Sequence, residues 1–564
     1  MINRMREVKE RHMGDQRKIE VKEIGRDLKG YVRQYCEVSS IQGLSYMINT
    51  NTLVGRIWWI IIFALGIAGS CWMVYEILDK WTTTPVLVSL ATKEDTINGI
   101  PFPAVTLCPE AKISRTCLNY TDLLIARRNG KMRGFEFSEH MFYDYMASIC
   151  RPENHQSTIS ILTSHRTNGT QSEEEEDDNG PDLSDYGEFF RACKSVELKN
   201  AYCSWMGQSK NCKDILTPIL TDQGLCYSFN MYDVRDIFSE INDMEYYPET
   251  SNRRQDWNPD KGFSDGLDLE NMYPRRSFLS GANNALVVVI LTDKDDLNYA
   301  CQDFALQGMR VTLHTASRIP RLGQIFFSVG LDRLTTVSVT PSVTETSNRI
   351  KQYSPEKRAC FFGYEKKLKY FKYYSQSSCN FECWTNYTIS KCGCVAFYMP
   401  RDNMTKVCNV RKRFCLENAR VSYNEDILRQ RLNTGTKVEG NATTVCNCLP
   451  LCSDVTYNAE IAASEWNFND DDEVEFDDTR EEMSRYRASA IKVFFKNRYF
   501  LPNQRDELYG TSDMVSNIGG ALSLFTGFAL VSLAEIIYFL SIKLIDNYRR
   551  YHHWAGPKVI LVQE

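Results

Sequence analysis

The sequence predicts a membrane protein in which two transmembrane helices flank a large, cysteine-rich extracellular domain. Three observations predict this fold class. Two uncharged apolar stretches lie at 57–75 and 514–534 of the 564-residue chain. The segments outside both stretches are basic, although the whole chain carries a net charge of −6. Finally, 18 of the 20 cysteines lie between the two stretches.

The first apolar stretch is long enough to cross a bilayer, whose core takes about 20 helical residues. An uncleaved signal peptide and a buried core helix are the alternatives. A signal peptide has a shorter apolar region at the extreme N-terminus, whereas 56 residues precede this stretch. We therefore expect a cytoplasmic N-terminus over 1–56 and a first transmembrane helix over 57–77.

The distribution of charge predicts the orientation. Residues 1–56 contain 11 Lys and Arg against 7 Asp and Glu, and residues 543–564 contain 4 against 2. Because basic flanks stay in the cytoplasm, both termini are expected inside the cell, with an extracellular domain over 78–513. The predicted location is the plasma membrane, as a multi-pass protein. The acidic balance argues against a nucleic-acid partner, which would need clustered Lys and Arg.

The cysteines provide an independent test of this topology. The 18 cysteines of the predicted extracellular domain are an even number, and an oxidising exterior allows up to nine disulfides. Zinc binding, the alternative, uses Cys-x-x-Cys pairs, whereas Cys392-Gly-Cys394 and Cys446-Asn-Cys448 are one residue shorter. The same domain contains five candidate N-glycosylation sites, at Asn119, Asn168, Asn386, Asn403 and Asn441.

The second apolar stretch contains small and polar residues, unlike a plain anchor helix of Leu, Ile and Val. Small residues three or four apart let helices approach closely, so a dimerisation face is one interpretation. We favour a water-lined pore, because these residues recur at helical spacing. The candidate pore-lining residues are Ser516, Asn517, Gly520, Ser523 and, nearer the inner end, Glu535. A carboxylate repeated by oligomer symmetry would form a ring that favours cations.

The second transmembrane segment, 514–542, is too long for a straight crossing. Its 29 residues would form a helix of about 43 Å, whereas the hydrocarbon layer is about 30 Å thick. Gly527 is the expected position of a break, because glycine weakens a helix and leaves backbone carbonyls available. Carbonyl oxygens can replace part of an ion's water shell. The sequence therefore predicts a cation pathway with a restriction at 527–529, followed by a cytoplasmic C-terminus over 543–564.

Several motifs resemble a known family. They are SSIQGL at 39–44, FPAVTLC at 102–108, GLCYSFN at 224–230, RVTLHTASRIP at 310–320, the cysteine block, and the long motif at 507–539. The sequence resembles the degenerin/epithelial sodium channel (DEG/ENaC) family, and looks most like its insect pickpocket branch. The resemblance implies a homo- or hetero-trimer of related subunits. Each subunit would contribute two spans and an α+β extracellular domain to a sodium-selective, voltage-insensitive, typically amiloride-blocked channel.

The resemblance also assigns roles to individual residues. It places the selectivity filter at Gly527, Phe528 and Ala529, and gating at Gln42, Gly43 and Ser516. It implies six disulfides: Cys108–Cys226, Cys360–Cys452, Cys379–Cys448, Cys383–Cys446, Cys392–Cys415 and Cys394–Cys408. It leaves Cys117, Cys150, Cys193, Cys203, Cys212 and Cys301 without assigned partners. It implies no cofactor, with sodium as the permeant ion.

The sequence departs from the family pattern at three positions. Gln42 replaces the histidine of a His-Gly pair, Ala529 replaces a serine in the Gly-x-Ser filter, and Ser523 replaces a common glycine. Glutamine still donates and accepts hydrogen bonds but does not titrate. Losing the hydroxyl at 529 should change selectivity modestly, because the backbone carbonyls remain. These departures favour a subunit that works mainly in hetero-trimers.

Other functions have less support in the sequence. A non-conducting surface receptor would not need Glu535 or the small-residue face. An ATP-gated channel would need a cluster of Lys and Arg for the phosphates, and an ectoenzyme would need a catalytic set. Two acidic runs, 173–178 and 470–478, are candidates for proton or calcium binding, with solvated charge as the alternative interpretation.

Overall fold

The computed structural model divides into two compact units. We call Met1–Leu87 with Glu507–Glu564 the terminal unit, and Val88–Asp506 the central unit. The structure describes residues 27–83, 86–129, 142, 145–150, 186–239, 255–264, 272–298, 301, 306–409, 412–433, 446–468, 484–508 and 510–555. The candidate glycosylation sites Asn168 and Asn441 and both acidic runs lie outside these residues.

Helices occur in both units. The main helices are α1 (27–38), α2 (Leu44–Asn49), α3 (Leu53–Thr83), α4 (Tyr120–Arg128), α5 (Tyr186–Ala192), α6 (Cys212–Ile215), α7 (Val234–Ile237), α8 (Pro355–Arg358), α9 (Gln376–Cys392), α10 (Arg413–Asn433), α11 (Thr511–Thr526), α12 (Leu530–Leu540) and α13 (Ile542–Tyr551).

The strands belong mainly to the central unit. They are β1 (Val86–Leu90), β2 (Asp95–Thr96), β3 (Ala104–Pro109), β4 (Ala201–Trp205), β5 (Gln208–Lys210), β6 (Leu216–Thr221), β7 (Gly224–Phe229), β8 (Trp257–Asn258), β9 (Gly262–Phe263), β10 (Leu286–Asp293), β11 (Met309–His314), β12 (Phe327–Val329), β13 (Arg333–Thr346), β14 (Cys394–Val395), β15 (Lys406–Val407), β16 (Asp454–Glu465), β17 (Tyr486–Phe495), β18 (Tyr499–Phe500) and β19 (Asn503–Glu507).

Two sheets form the centre of the central unit. The larger has eight strands in the order β1-β19-β13-β17-β10-β4-β5, with β16 also paired to β13. The smaller has five, in the order β12-β11-β3-β7-β6. Both sheets contribute apolar side chains to one core, among them Val105 and Leu107 of β3, Val288 of β10, and Ile491 of β17. The central unit is therefore an α+β domain, the class that the resemblance implied.

Alternating side chains explain why these strands form. On β13 every second residue from Thr335 to Val343 is buried, and strands with one buried face show this period of two. Its Val337 and Val339 are fully buried in the core. The apolar run at 285–291 lies largely in β10, and the alternating run at 309–315 lies largely in β11.

Nine disulfides use all 18 cysteines of the central unit. The six pairs that the resemblance implied are all present. The cysteines left without partners form Cys117–Cys193, Cys150–Cys301 and Cys203–Cys212. Four bonds hold α9 from its first turn to its end, through Cys379, Cys383 and Cys392 with the adjoining Cys394. Such cross-links restrict the unfolded chain and stabilise the folded one.

Ionisable groups are buried inside the central unit. The Lys112 ammonium lies 3.5 Å from the Glu110 carboxylate, which also pairs with Arg310 at 2.6 Å. Burial lowers the pKa of Lys112 from its usual range. His314 lies with Nε2 2.7 Å from Thr106 Oγ1, and burial lowers its pKa to about 4. In the part of the chain that the structure describes, no group of three or more His, Cys, Asp or Glu side chains is arranged to hold a metal ion.

The three described glycosylation candidates differ in their surroundings. Asn386 on α9 and Asn403 before β15 are exposed. Asn119 precedes α4 and is only half-exposed, and its side-chain amide donates to Asp122 at 2.6 Å. All three remain candidates, with Asn386 and Asn403 the more accessible.

The terminal unit contains the two apolar segments. By length and composition, α3 is the helix able to cross a membrane by itself among the described residues. It begins before residue 57 and continues past residue 77, the bounds expected for the first span. The second segment passes the same test only as a bent pair, Thr511–Thr526 with Leu530–Tyr551.

Candidate functional site at the break in the second span

The second span is broken where the sequence predicted it. Gly527 ends α11 in a left-handed conformation with φ +69°, and its N–H donates to Ser523 O at 2.9 Å. The helix direction then changes by 75° before α12. Residues with a Cβ rarely adopt this conformation, whereas glycine adopts it freely. The residues 527–529, expected as the filter, thus form the link between two helices.

One side of α11 packs closely on α3 through glycines. A Cβ added at Gly66 would lie 2.9 Å from the Phe525 carbonyl oxygen, and one at Gly69 would lie 2.9 Å from the Phe525 ring. Ala521 on the same side of α11 is buried. Glycine at 66 and 69 therefore permits the close approach that holds the last turn of α11 just before the break.

The expected pore-lining residues lie on the other side of α11. Ser516, Gly520 and Ser523 are exposed, and a Cβ added at Gly520 would have no neighbour within 4 Å. Asn517 is exposed at the flank of this face. At 100° per residue, the small polar face points away from Ala521 and Phe525. This face is thus left uncovered within one copy of the chain.

The N-terminal loop reaches the break. The Gln42 N–H donates to Thr526 O at 3.1 Å, and Gly43 has φ +94° at the start of α2. A Cβ added at Gly527 would lie 2.7 Å from Gln42 Cγ. The residues expected to act in gating, Gln42 and Gly43, therefore adjoin the expected filter, although about 480 residues separate them in sequence.

Glu535 has a partner that the sequence did not predict. Its carboxylate oxygen Oε2 accepts hydrogen bonds from the Ser40 backbone N–H at 2.9 Å and from Ser40 Oγ at 3.1 Å. Ser40 Oγ also shares a hydrogen bond of 2.7 Å with Ser532 Oγ. Ser532 in turn accepts from the Ala529 N–H at 3.2 Å. A chain of hydrogen bonds thus connects Glu535 to the Ala529 backbone, within the expected filter, through the N-terminal loop.

This arrangement changes the interpretation of Glu535. The sequence suggested a carboxylate facing water or a passing cation, because an ionised group among apolar residues needs such a partner. The structure gives the carboxylate two donors on Ser40, and its side chain is only half-exposed. Holding the N-terminal loop in place is therefore a role for Glu535 that sequence reasoning missed.

The residues expected to form the filter keep backbone hydrogen-bond acceptors available. Among the described residues, no hydrogen bond is made to the carbonyl oxygens of Gly527 or Phe528. The preceding carbonyl, that of Thr526, is turned to Gln42. The link between α11 and α12 therefore presents two consecutive carbonyl groups, the type of ligand that replaces water around a cation.

Helix α1 braces the far side of α12. The Tyr31 hydroxyl donates to Phe539 O, and the Tyr35 and Phe539 rings lie 5.2 Å apart. The Asp27 carboxylate lies 3.2 Å from His553 Nε2 after α13. Within the terminal unit, the N-terminal segment thus contacts the second span from the break to its inner end.

Sequence reasoning missed Ser40, Ser532 and the glycines of α3. Gly66 and Gly69 carried a signal, since small residues three apart in an apolar helix mark close packing. Ser40 carried none beyond its place in the motif SSIQGL, because its partners lie more than 490 positions away.

Comparison with known proteins agrees with this geometry. A model of the family described as "Amiloride-sensitive sodium channel" matches residues 35–539. Pickpocket protein 28 of Drosophila melanogaster is 24% identical over 92% of this chain and 79% of its own length. Sodium channel protein Nach of the same species is 24% identical over 95% of this chain and 93% of its own length. The human bile acid-sensitive ion channel is 21% identical over 91% of this chain and 86% of its own length. The chain therefore belongs to the degenerin/epithelial sodium channel family of plasma-membrane ion channels, which are not enzymes and assemble as oligomers of related subunits.

Proposed function

We propose that the chain is a subunit of a trimeric, voltage-insensitive, amiloride-blocked sodium channel that opens in response to an extracellular stimulus. Both termini lie in the cytoplasm in this proposal, and the central unit lies outside the cell. Sodium is the permeant ion, and no cofactor takes part. The related subunits of the trimer are copies of this chain or other members of the family.

One observation carries the proposal: the break at 527–529 presents two backbone carbonyls that accept no hydrogen bond from the described part of the chain, next to a small polar face on α11. Copies of α11 arranged around an axis with this face inward would enclose a path lined by Ser516, Gly520 and Ser523. The Gly527 and Phe528 carbonyls would then form a ring that strips part of the water from a cation.

The absence of a hydroxyl at Ala529 is compatible with this function. The Ala529 N–H is held by Ser532, whose side chain is fully buried. The backbone at the break is therefore positioned by Ser532 and Gln42, and its carbonyls do not depend on a side chain at 529. The preference of the channel for sodium over other cations is expected to be weaker than with serine at 529, but sodium should still be favoured.

The mechanism of gating follows from the connections to the central unit. Disulfides make that unit stiff, so a movement within it is transmitted along the chain to α3 and α11 and is not absorbed. Because Gly66 and Gly69 hold the end of α11, a shift of α3 would move the residues next to the break. Ser516, one turn after the start of α11, is the proposed gating position on the pore side.

Expression of the chain in oocytes, with recording under ion replacement, tests this function. Inward current carried by sodium, reduced by amiloride and independent of voltage apart from driving force, is the expected result. Singly substituted cysteines along α11 should react with water-soluble thiol reagents at 516, 520 and 523. Protein at the cell surface with no reactive position along α11 would contradict a pore.

A second candidate function is a subunit that conducts only beside other members. Gln42 and Ala529 favour this second function, because they replace the family's histidine and serine and so alter the side chains at the break. The same recordings separate the two functions: silence of the chain alone, with altered sodium preference after co-expression with a relative, would support the second.

A further inference from the structure

Helix α13 exposes its apolar side chains. Four of them are between 49% and 63% exposed: Ile542, Ile545, Tyr548 and Tyr551. We call this set the apolar arc. Asn547, in contrast, is 5% exposed, and its side-chain amide donates to Trp554 O at 3.1 Å. A helix on a water-soluble protein turns its apolar side inward, so α13 has the opposite arrangement.

The position of α13 is fixed from its inner side. The turn after the helix folds back on Asn547, and His553 Nε2 lies 3.2 Å from the Asp27 carboxylate on α1. The Tyr31 ring adjoins the Trp554 ring at 6.0 Å. These contacts join the turn after α13 to α1 and to Asn547, while the side chains of the apolar arc stay exposed within the described residues.

Helix lengths place α13 at the boundary of a bilayer. The 16 residues of α11 measure about 24 Å, and the 11 residues of α12 about 17 Å. Because the second part is bent by 75° from the first, α12 adds only about 4 Å along the axis of α11. Starting at one edge of a layer about 30 Å thick, α13 begins near the other edge and runs almost parallel to it.

The polar residues of α13 are mainly basic. Lys543, Arg549 and Arg550 outnumber Asp546, which pairs with Arg550 at 2.9 Å. At 100° per residue, Arg549 lies between Ile542 and Ile545, so a cation borders the apolar arc. Tyrosine and arginine at the edge of an apolar face are typical of helices in the membrane interface.

We infer that α13 lies in the cytoplasmic interface of the membrane, with the apolar arc inserted below the head groups and Arg549 bound to the phosphates of anionic phospholipids. The inference depends on the proposed cytoplasmic position of the C-terminus. It does not depend on ion conduction. It assigns to this segment a lipid-binding surface, and the inner leaflet supplies the negative charge that suits this arginine.

Photo-crosslinking of the full chain tests this surface. Ile545→p-benzoylphenylalanine and Tyr548→p-benzoylphenylalanine would be purified and reconstituted with equal amounts of phosphatidylcholine and phosphatidylserine. Leu428→p-benzoylphenylalanine is the matched control, because Leu428 is 57% exposed on α10 of the central unit. Mass spectrometry after irradiation would identify adducts. We expect phospholipid adducts at 545 and 548 and none at 428.

Arg549→Gln tests whether the positive charge of Arg549 selects anionic phospholipids. This change should lower the ratio of phosphatidylserine to phosphatidylcholine adducts at 548 about fivefold, the effect expected of one basic residue at an anionic surface. Arg429→Gln, at an exposed arginine of α10, should leave the ratio unchanged. An unchanged ratio in Arg549→Gln would overturn the recognition of anionic lipid.

The alternative to lipid is that a second subunit packs against the apolar arc. Adducts at 545 and 548 joined only to another copy of the chain would overturn the inference, as would the absence of any adduct. Because the readout is a covalent adduct and not a current, a chain that failed to conduct would still give a result.

Discussion

Replacing Gly527 by alanine tests the contact between the N-terminal loop and the proposed filter. The left-handed conformation at φ +69° costs a residue with a Cβ about 1 kcal/mol. The new Cβ would also lie 2.7 Å from Gln42 Cγ and 3.2 Å from Gln42 Cδ, so the Gln42 side chain must move. Disturbing the hydrogen bond from Gln42 to Thr526 O adds about 1 kcal/mol.

Together these two costs destabilise the intact break by about 2 kcal/mol. The equilibrium constant between the intact and disturbed forms therefore shifts roughly 30-fold toward the disturbed form. We expect Gly527→Ala to lower the amiloride-sensitive current per surface subunit by about this factor. Gly519→Ala is the matched control, because a Cβ there meets no atom within 4 Å and alanine suits a helix interior. It should conduct like the unchanged protein.

A second substitution separates strain from contact. Gln42→Ala removes Cγ and Cδ and leaves only Cβ, 3.3 Å from the added group. In this background Gly527→Ala should lose several-fold less current than it does alone, because only the backbone strain remains. If the two changes combine additively, with no recovery, the side-chain contact between positions 42 and 527 does not exist in the working channel and the reasoning fails.

Three further predictions concern other parts of the molecule. Ser516→Val should give persistent current, because a larger side chain on the proposed pore side of α11 opposes closure; a silent variant at the cell surface, under conditions in which the unchanged channel conducts, would contradict this. Ser40→Ala removes the hydroxyl shared by Ser532 and Glu535, and should weaken the preference for sodium over potassium, while Ser40→Thr preserves it; equal selectivity in both would count against the hydrogen-bond chain. Because burial lowers the pKa of His314 to about 4, below about 6.5 in an unfolded chain, protonation favours unfolding, and stability should fall between pH 6.5 and 4 by at most about 3 kcal/mol. Urea unfolding followed by tryptophan fluorescence would measure it, and His314→Gln should show a flatter dependence on pH.

Much of the fold was predictable because it depends on local composition. The uncharged stretches marked the segments of α3 and α11–α12, and the excess length of the second marked a break at Gly527. The cysteine count predicted nine disulfides, but not the pairs, since sequence alone permits many connectivities. Six pairs came from the resemblance. The pair Cys150–Cys301 spans 151 positions and had no local signal.

The order of the strands lay beyond sequence reasoning. Strand β13 pairs with β16, β17 and β19, all more than 100 residues later in the chain. The alternating burial along β13 explains why one of its faces is buried, but such a pattern carries no information about which strands are its neighbours. The partner of Glu535 was unpredictable for the same reason: a carboxylate in an apolar segment indicates that a partner exists, not which residue supplies it.

The meeting of Ser40 with Glu535 has a consequence for biosynthesis. The ribosome adds residue 535 a full 495 positions after residue 40, so this contact forms only after all the residues between them have been synthesised. Before that point, Ser40 in the nascent chain lacks the Glu535 carboxylate as a hydrogen-bond acceptor. A prematurely terminated product without residue 535 cannot form this contact. Formation of this contact therefore requires synthesis of the chain at least as far as residue 535.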